Sequence, residues 1–263
     1  MKIAFVGGGN MGEAMLAAVL TSLLGLRAVS VCDTNEARCR HIEQKYGQEY
    51  GKKCSLTVVR SNQLAVERAD VVVLAVKPQN LVEVMAELSG RLKPTQLVLS
   101  IIAGARINTL CVGLKHNSIV RAMPNTPAQI GEGISVWAGT AEVTEQQEEW
   151  AASILVVMGK EIHVDDERYI DMATAVSGSG PAYIFLMVEA LVDAAVHIGL
   201  PQDMAQELVL QTLLGSGHFI QKSSESPAEL RRMVTSPGGT TAEALLHLEK
   251  GKFSALLLQA IIA

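Results

Sequence analysis

Three glycine-rich stretches carry the residue types needed to hold a charged small molecule. The first, Gly7-Gly8-Gly9-Asn10-Met11-Gly12, fits Gly-x-Gly-x-x-Gly. Glycines at those positions allow a tight turn and let a pyrophosphate approach the backbone, where the unpaired N–H groups of a following helix face its charge. The pattern alone is weak, because glycines also mark ordinary turns. Its position strengthens it: it follows the apolar run Lys2–Val6 and precedes Glu13–Leu24, a segment at helical spacing that leads to a second β-branched run, Ala28–Cys32. Residues Val6 to Gly12 are therefore expected to bind a dinucleotide. Asp33 stands about 20 residues past Gly12, where an acid accepts hydrogen bonds from an adenosine ribose. It serves equally well as the cap of the next helix, with Asp33-Thr34-Asn35 as a turn. An acid there repels a 2′-phosphate and favours NADH, whereas Thr34 and Asn35 can donate to one, so the choice between NADH and NADPH stays open.

The remaining motifs lie further along the chain. Ala75-Val76-Lys77-Pro78 ends a fourth strand, on the edge where open α/β sheets take ligands, and makes Lys77 either a contact to cofactor or substrate or a solvated lysine. Met123-Pro124-Asn125-Thr126-Pro127 follows the sixth strand; it is a rigid turn or a functional loop, and Asn125 is counted with the cofactor-binding residues. Ser177-Gly178-Ser179-Gly180-Pro181-Ala182-Tyr183 reads as a helix start with Ser179 or Gly180 near the cap and Pro181 at the first helical position. Ser236-Pro237-Gly238-Gly239-Thr240-Thr241-Ala242-Glu243 reads as another, with the capping-box spacing from Thr240 to Glu243. Each can be no more than a cap. Together, Ser177, Gly178, Ser179, Gly180, Ser236, Gly238, Gly239 and Thr240 have the N–H groups and hydroxyls to hold a carboxylate.

The expected chemistry is reduction. Carbonyl and alcohol enzymes need a placed proton carrier, but no lysine follows Gly180 in its helix, His197 comes late, and Tyr183 reads as a packing residue. An imine can arrive already protonated, so the missing acid favours C=N over C=O reduction. The other histidines show no paired metal spacing, and no metal is expected.

These motifs need a two-part scaffold. Val/Ile/Leu-rich strands at Leu56–Val59, Val71–Val76, Leu97–Ile102, Ser118–Ala122 and Ile134–Ala138 alternate with helical segments and imply a mostly parallel sheet covered on both faces. After a helix at Glu145–Met158 and a run at Glu161–Val164, the pattern turns helical: Tyr183–Ile198, Pro201–Gln221, Pro227–Val234 and Thr241–Ile262. The fold class is thus α/β, a Rossmann-type amino-terminal domain over residues 1–164, with an all-α carboxyl-terminal domain over 165–263. The helices are apolar over much of their circumference, as in the tail Ala255–Ala263, so a homodimer or larger assembly is expected. A net charge of -5 leaves no basic field for nucleic acid. The four cysteines lack paired spacing, no uninterrupted apolar run nears the roughly 18 residues of a membrane span, and glycines break what would be a signal segment; a cytoplasmic location follows.

In the order and wording of these motifs, from Val6–Gly12 through Ala75–Pro78, Met123–Pro127 and Ser177–Tyr183 to Ser236–Thr241, the chain resembles the pyrroline-5-carboxylate reductases over essentially its whole length. The resemblance implies a helical domain that dimerises by interlocking helices, assembly of dimers into a higher oligomer, and reduction of the small imine 1-pyrroline-5-carboxylate to L-proline. It also places Asn62 near the adenosine and Thr241, as the catalytic hydroxyl, near the imine nitrogen. Asp33 departs from the serine-rich or basic segments that serve NADPH. Alternatives on the same plan are a 3-hydroxyacid dehydrogenase, a broader imine reductase or a non-catalytic dinucleotide-sensing dimer.

Overall fold

A computed structural model of the chain describes residues 1–22, 25–50 and 54–263. It divides into two compact units, Met1–Pro181 and Ala182–Ala263. The first unit runs β1 (Lys2–Val6), α1 (Asn10–Thr21), β2 (Ala28–Cys32), α2 (Glu36–Tyr50), β3 (Ser55–Val59), α3 (Asn62–Val66), β4 (Val71–Leu74), α4 (Leu81–Leu88), β5 (Leu97–Ser100), α5 (Ile107–Leu114), β6 (Ile119–Met123), β7 (Gly133–Gly139), α6 (Glu145–Val156), β8 (Gly159–His163) and α7 (Arg168–Ala173). Leu23 and Leu24, the end of the expected first helix, lie outside the described residues.

The eight strands lie in the order β3-β2-β1-β4-β5-β6-β7-β8, with every neighbouring pair parallel except β6 and β7. Period-two alternation sends successive strand residues to opposite faces. Ile3 and Phe5 of β1, with Val71 and Val73 of β4, join Met15, Leu16 and Val19 of α1 and Ile154 of α6 in one buried cluster. Ala4 and Val6, with Val72 and Leu74, face Val84 and Leu88 of α4 and Leu110 of α5 in the other. That two-sided burial is why the strands are continuous apolar runs. The chain leaves β1 for β2 on one side and returns to β4 on the other, so the strand order reverses at β1, the place where such sheets open a crevice at their carboxyl edge.

The structure moves several boundaries. Strand β4 stops at Leu74; Ala75 keeps one bond, its N–H to the Val6 carbonyl at 2.8 Å, before Val76 and Lys77 leave the sheet and Pro78–Asn80 form a 3₁₀ turn. The compact units part later than the sequence pattern does. Ile170 of α7 is fully buried beside Val136 and Ala138 of β7, and buried Arg121 of β6 pairs with Glu167 and Asp171 at 3.0 and 2.5 Å. These contacts keep α7 with the sheet.

The second unit is helical: α8 (Gly180–His197), α9 (Gln202–Lys222), α10 (Pro227–Met233), α11 (Thr240–Lys250) and α12 (Phe253–Ile262). The last two replace the single helix expected over Thr241–Ile262. Gly251 closes α11 by donating to the His247 carbonyl at 2.9 Å, and Lys252 takes a left-handed conformation, φ 58°, that ends one helix and starts the next. Among the described residues of this unit only Val192, Ala205 and Leu230 are buried, while Leu186, Ile198, Leu258 and Ile262 are exposed. Helical conformation is unbroken from Arg168 to His197, a stretch long and apolar enough, by length and composition alone, to cross a membrane.

Candidate active site

The glycine loop has the geometry its sequence asks for. Gly7 has φ +105°, and a Cβ there would sit 2.7 Å from the carbonyl carbon and oxygen of Ala75. Helix α1 begins at Asn10, three residues before the expected Glu13, so Gly12 lies in its first turn, and a Cβ on it would come 2.3 Å from the Gly7 oxygen. Both positions therefore exclude side chains so that loop, helix and strand can close on one another. Gly9 is different: a Cβ there would meet nothing within 4 Å. It is the N-cap of α1, and no side chain caps the helix. The first-turn N–H groups thus face open space, the cradle a pyrophosphate requires.

That space is a cavity of about 740 Å³ at the carboxyl ends of β1, β2, β4 and β5. Of the expected cofactor residues it is lined by Gly7, Gly9, Asn10, Met11, Asp33, Thr34, Asn62, Ala75, Val76, Lys77 and Pro78. Val6, Gly8 and Gly12 stand behind the lining as the loop's support. Asn125 is not brought there; its Oδ1 accepts the Ile134 N–H at 3.0 Å and ties the end of β6 to the start of β7. Asn62, nearly buried, donates to Glu87 at 2.7 Å.

Asp33 has both oxygens engaged by backbone: Oδ2 accepts the Gly8 N–H and Oδ1 the Asn35 N–H, each at 2.8 Å. It is not the cap of α2. That role falls to Asn35, whose Oδ1 accepts from Ala37 and Arg38 at 2.9 and 3.2 Å. A carboxylate oxygen has two acceptor directions, so Asp33 keeps capacity for a further donor.

Sequence reasoning missed Arg38, Glu83, Glu87 and the run Ile101–Ala103 in the lining. The last follows β5 on the ligand-bearing edge, and the rule that singled out Ala75–Pro78 applies to it. Arg38 gave no local signal. Its Nε donates to the Gly8 carbonyl at 2.8 Å, and its terminal nitrogen meets Glu13 Oε2 at 2.5 Å. Glu13 also takes hydrogen bonds from His41, Lys45 and Tyr46 of α2. Burial by itself would raise the Glu13 carboxyl, but Lys45, His41 and Tyr46 together with the Arg38 charge pull it down to about 2. Burial, then neighbouring Cys39, Asp33 and Glu87, push the Cys32 thiol up to about 12.

The Ser177–Gly180 motif opens α8 at Gly180, with Pro181 in its first turn, but the chain reaches it already helical and not from a loop. Residues Thr174–Gly178 form a π-turn continuous with α7, and the Ser179 N–H donates to the Thr174 carbonyl at 2.8 Å. Ser177 Oγ bonds the Ala173 carbonyl at 2.9 Å. These groups are spent within the helix instead of forming an open nest. Gly178 allows close approach: a Cβ would lie 3.2 Å from Met123 Cε, just before Pro124. Inserted π-turns recur at functional sites.

In the second unit, Ser236-Pro237-Gly238-Gly239 closes a turn in which the Gly239 N–H donates to the Ser236 carbonyl at 3.0 Å. Proline precedes a glycine at φ +69°, the residue order of a type II turn. Gly239, not Thr240, is the N-cap of α11, and the expected capping box does not form. A glycine cap leaves the first-turn N–H groups of α11 without a side-chain partner, with half-buried Thr241 in that turn.

Two family models match separate parts of the chain. Residues 167–263 match the family model for pyrroline-5-carboxylate reductase dimerisation, and residues 2–104 match that for NADP oxidoreductase, coenzyme F420-dependent. The pyrroline-5-carboxylate reductase of Pseudomonas aeruginosa is 41% identical over 263 residues, covering 100% of this chain and 93% of that protein. The structure of the reductase from Coxiella burnetii superposes with a TM-score of 0.85 at 35% identity, over 99% of this chain and 94% of that one. That of the Plasmodium falciparum enzyme, solved with NADP bound, gives 0.87 at 30% identity over the same shares. Relative and structures agree along the full length, and the chain belongs to the pyrroline-5-carboxylate reductase family.

Proposed function

We propose that this protein reduces 1-pyrroline-5-carboxylate to L-proline, using NADH or NADPH held at the glycine loop. The observation that carries the reading is the open cradle at Gly9, in a chain that matches reductases of this name from end to end. The dihydronicotinamide, when bound, supplies hydride to the imine carbon. The protein's own task is to bind, orient and manage one proton. The uncapped first turn of α1 takes the pyrophosphate, Asp33 and Asn62 the adenosine end, and Ala75 to Pro78 the run toward the nicotinamide. In the second unit, the N–H groups after Gly239 bind the substrate carboxylate, and the Thr241 hydroxyl donates to the imine nitrogen or holds the water that protonates it. Ser177, Gly178, Ser179 and Gly180, at the π-turn and the start of α8, border the substrate, where their small size leaves it room.

The exposed apolar helices, including Arg168–His197, are covered by a second copy of the chain and not by lipid, and the dimers assemble further. The match to a dimerisation domain supports the pairing. Free thiols at Cys32, Cys39, Cys54 and Cys111 support a cytoplasmic enzyme. Oxidation of NADH or NADPH in the presence of pyrroline-5-carboxylate, with a hydroxyacid panel run in reverse, tests the activity; turnover of a hydroxyacid but not the imine would reject it. Light scattering without detergent should give a dimer or a multiple of it, and a stable monomer at micromolar concentration would reject the assembly.

A further inference from the structure

We propose that Asp33, with Arg38 held by Glu13, makes this enzyme select NADH over NADPH; the inference rests on reading the cavity as the dinucleotide site. The two cofactors differ only in a 2′-phosphate on the adenosine ribose, so the discriminating groups are those at the end of β2.

Asp33 is fixed there by two backbone donors, Gly8 at one oxygen and Asn35 at the other, and cannot swing aside without orphaning both N–H groups. A ribose 2′-hydroxyl can donate into the carboxylate's remaining acceptor capacity, whereas a phosphate dianion has no proton to offer and meets like charge. Glu87 adds to that field, for Cys32 at the end of β2 feels the charges of both Asp33 and Glu87.

A protein that uses NADPH needs a compensating cation, and the two that line the cavity are badly placed. Arg38 spends its Nε on the Gly8 carbonyl and a terminal nitrogen on Glu13. Glu13 is itself held by His41, Lys45 and Tyr46, so the Arg38 charge is already matched and its planar group locked. Lys77 follows β4, which lies two strands from β2 in the sheet, about 10 Å away at ordinary strand spacing. Asn35 is committed through Oδ1 to capping α2, and Thr34 offers only a neutral, exposed hydroxyl. Glu13 and Asp33 together thus disarm the basic side of the pocket and present an acid.

The test is fluorescence titration of the purified protein with NADH and with NADPH, without substrate. The expected result is a Kd for NADPH higher than that for NADH by about tenfold or more, a gap that narrows as ionic strength rises because it is a repulsion. Asp33→Ser should shrink the ratio mainly by tightening NADPH, and Glu13→Gln should tighten NADPH by releasing Arg38. Equal affinities, tighter NADPH binding, or a preference that survives Asp33→Ser unchanged would overturn the assignment. Should Asp33→Ser fail to fold, the wild-type ratio and its salt dependence still decide: a ratio indifferent to salt refutes it. Failure of both dinucleotides to bind would instead overturn the cavity reading and the reductase reading with it.

Discussion

Two glycines of the loop, three residues apart, should respond to the same substitution in opposite ways. At Gly12 an added methyl would lie 2.3 Å from the Gly7 oxygen and 3.3 Å from the Ala75 side chain, so loop and helix must separate. Overpacking of this kind costs about 1–3 kcal/mol, and the better helix propensity of alanine returns up to about 1 kcal/mol. A net loss near 1–2 kcal/mol is expected, a fall of roughly 2–8 °C in Tm for a domain of this size. At Gly9 the backbone, φ -67° and ψ -176°, is open to alanine and no atom stands within 4 Å. Stability should change by less than about 1 kcal/mol. The methyl then occupies the cradle itself, and dinucleotide affinity should fall at least tenfold, about 1.4 kcal/mol. Thermal melting and fluorescence titration of Gly12→Ala and Gly9→Ala separate the two effects. A stable Gly9→Ala that binds NADH and NADPH like the parent would refute the cradle, and an unperturbed Gly12→Ala would refute the close packing.

Three further outcomes follow from the structure. Because the Glu13 carboxyl sits at about 2 in the folded chain against an ordinary 4.5, its contribution is fully present above pH 4.5 and is lost as pH falls toward 2. At 1.36 kcal/mol per unit it amounts to at most about 3 kcal/mol, and Glu13→Gln should flatten the acid limb of urea-unfolding stability measured against pH. Arg121→Met should cost about 2 kcal/mol by leaving Glu167 and Asp171 unpaired, less than a fully buried pair because both acids are partly exposed; an unchanged Tm would mean that Ile170 alone holds α7. Thr241→Ala should lower turnover by about 10- to 100-fold with little loss of Tm, and Thr240→Ala should leave Tm nearly unchanged because it makes no capping bond; full activity in Thr241→Ala would remove that hydroxyl from the mechanism.

What could be read from the sequence was what is local. The Rossmann pattern at Lys2–Cys32 is legible because a strand, a glycine turn and an amphipathic helix each leave a short-range signature, and the strand runs are legible because two-sided burial demands continuous apolar residues. Helix boundaries were less so. Ser177–Tyr183 reads as a helix start, yet the backbone is helical before it, through α7, where Ile170 and the Arg121 pairs anchor it to the sheet, and a π-turn over Thr174–Gly178. Thr240 and Glu243 have the spacing of a capping box, but Gly239 takes the cap because the turn with Gly238 at φ +69° delivers the chain one residue earlier. Arg38 and Glu87 were invisible, since their place in the cavity depends on partners brought together by the sheet, Glu13 and Asn62.

The second unit carries this dependence furthest. With Val192, Ala205 and Leu230 its only buried side chains among the described residues, most of its apolar surface finds no cover within one chain. Burial is worth roughly 25 cal/mol per Å², and side chains left in water return none of it, so helices such as α12, with Leu256, Leu257 and Leu258 all exposed, have little in the monomer to hold them. For a chain matched here to a dimerisation domain, a partner copy is the expected source of that stabilisation. Folding of this unit and assembly are then expected to be linked. Turnover of α11 variants should therefore be compared at fixed protein concentration, and helical circular dichroism that is unchanged on dilution below the dimer's dissociation would refute the coupling.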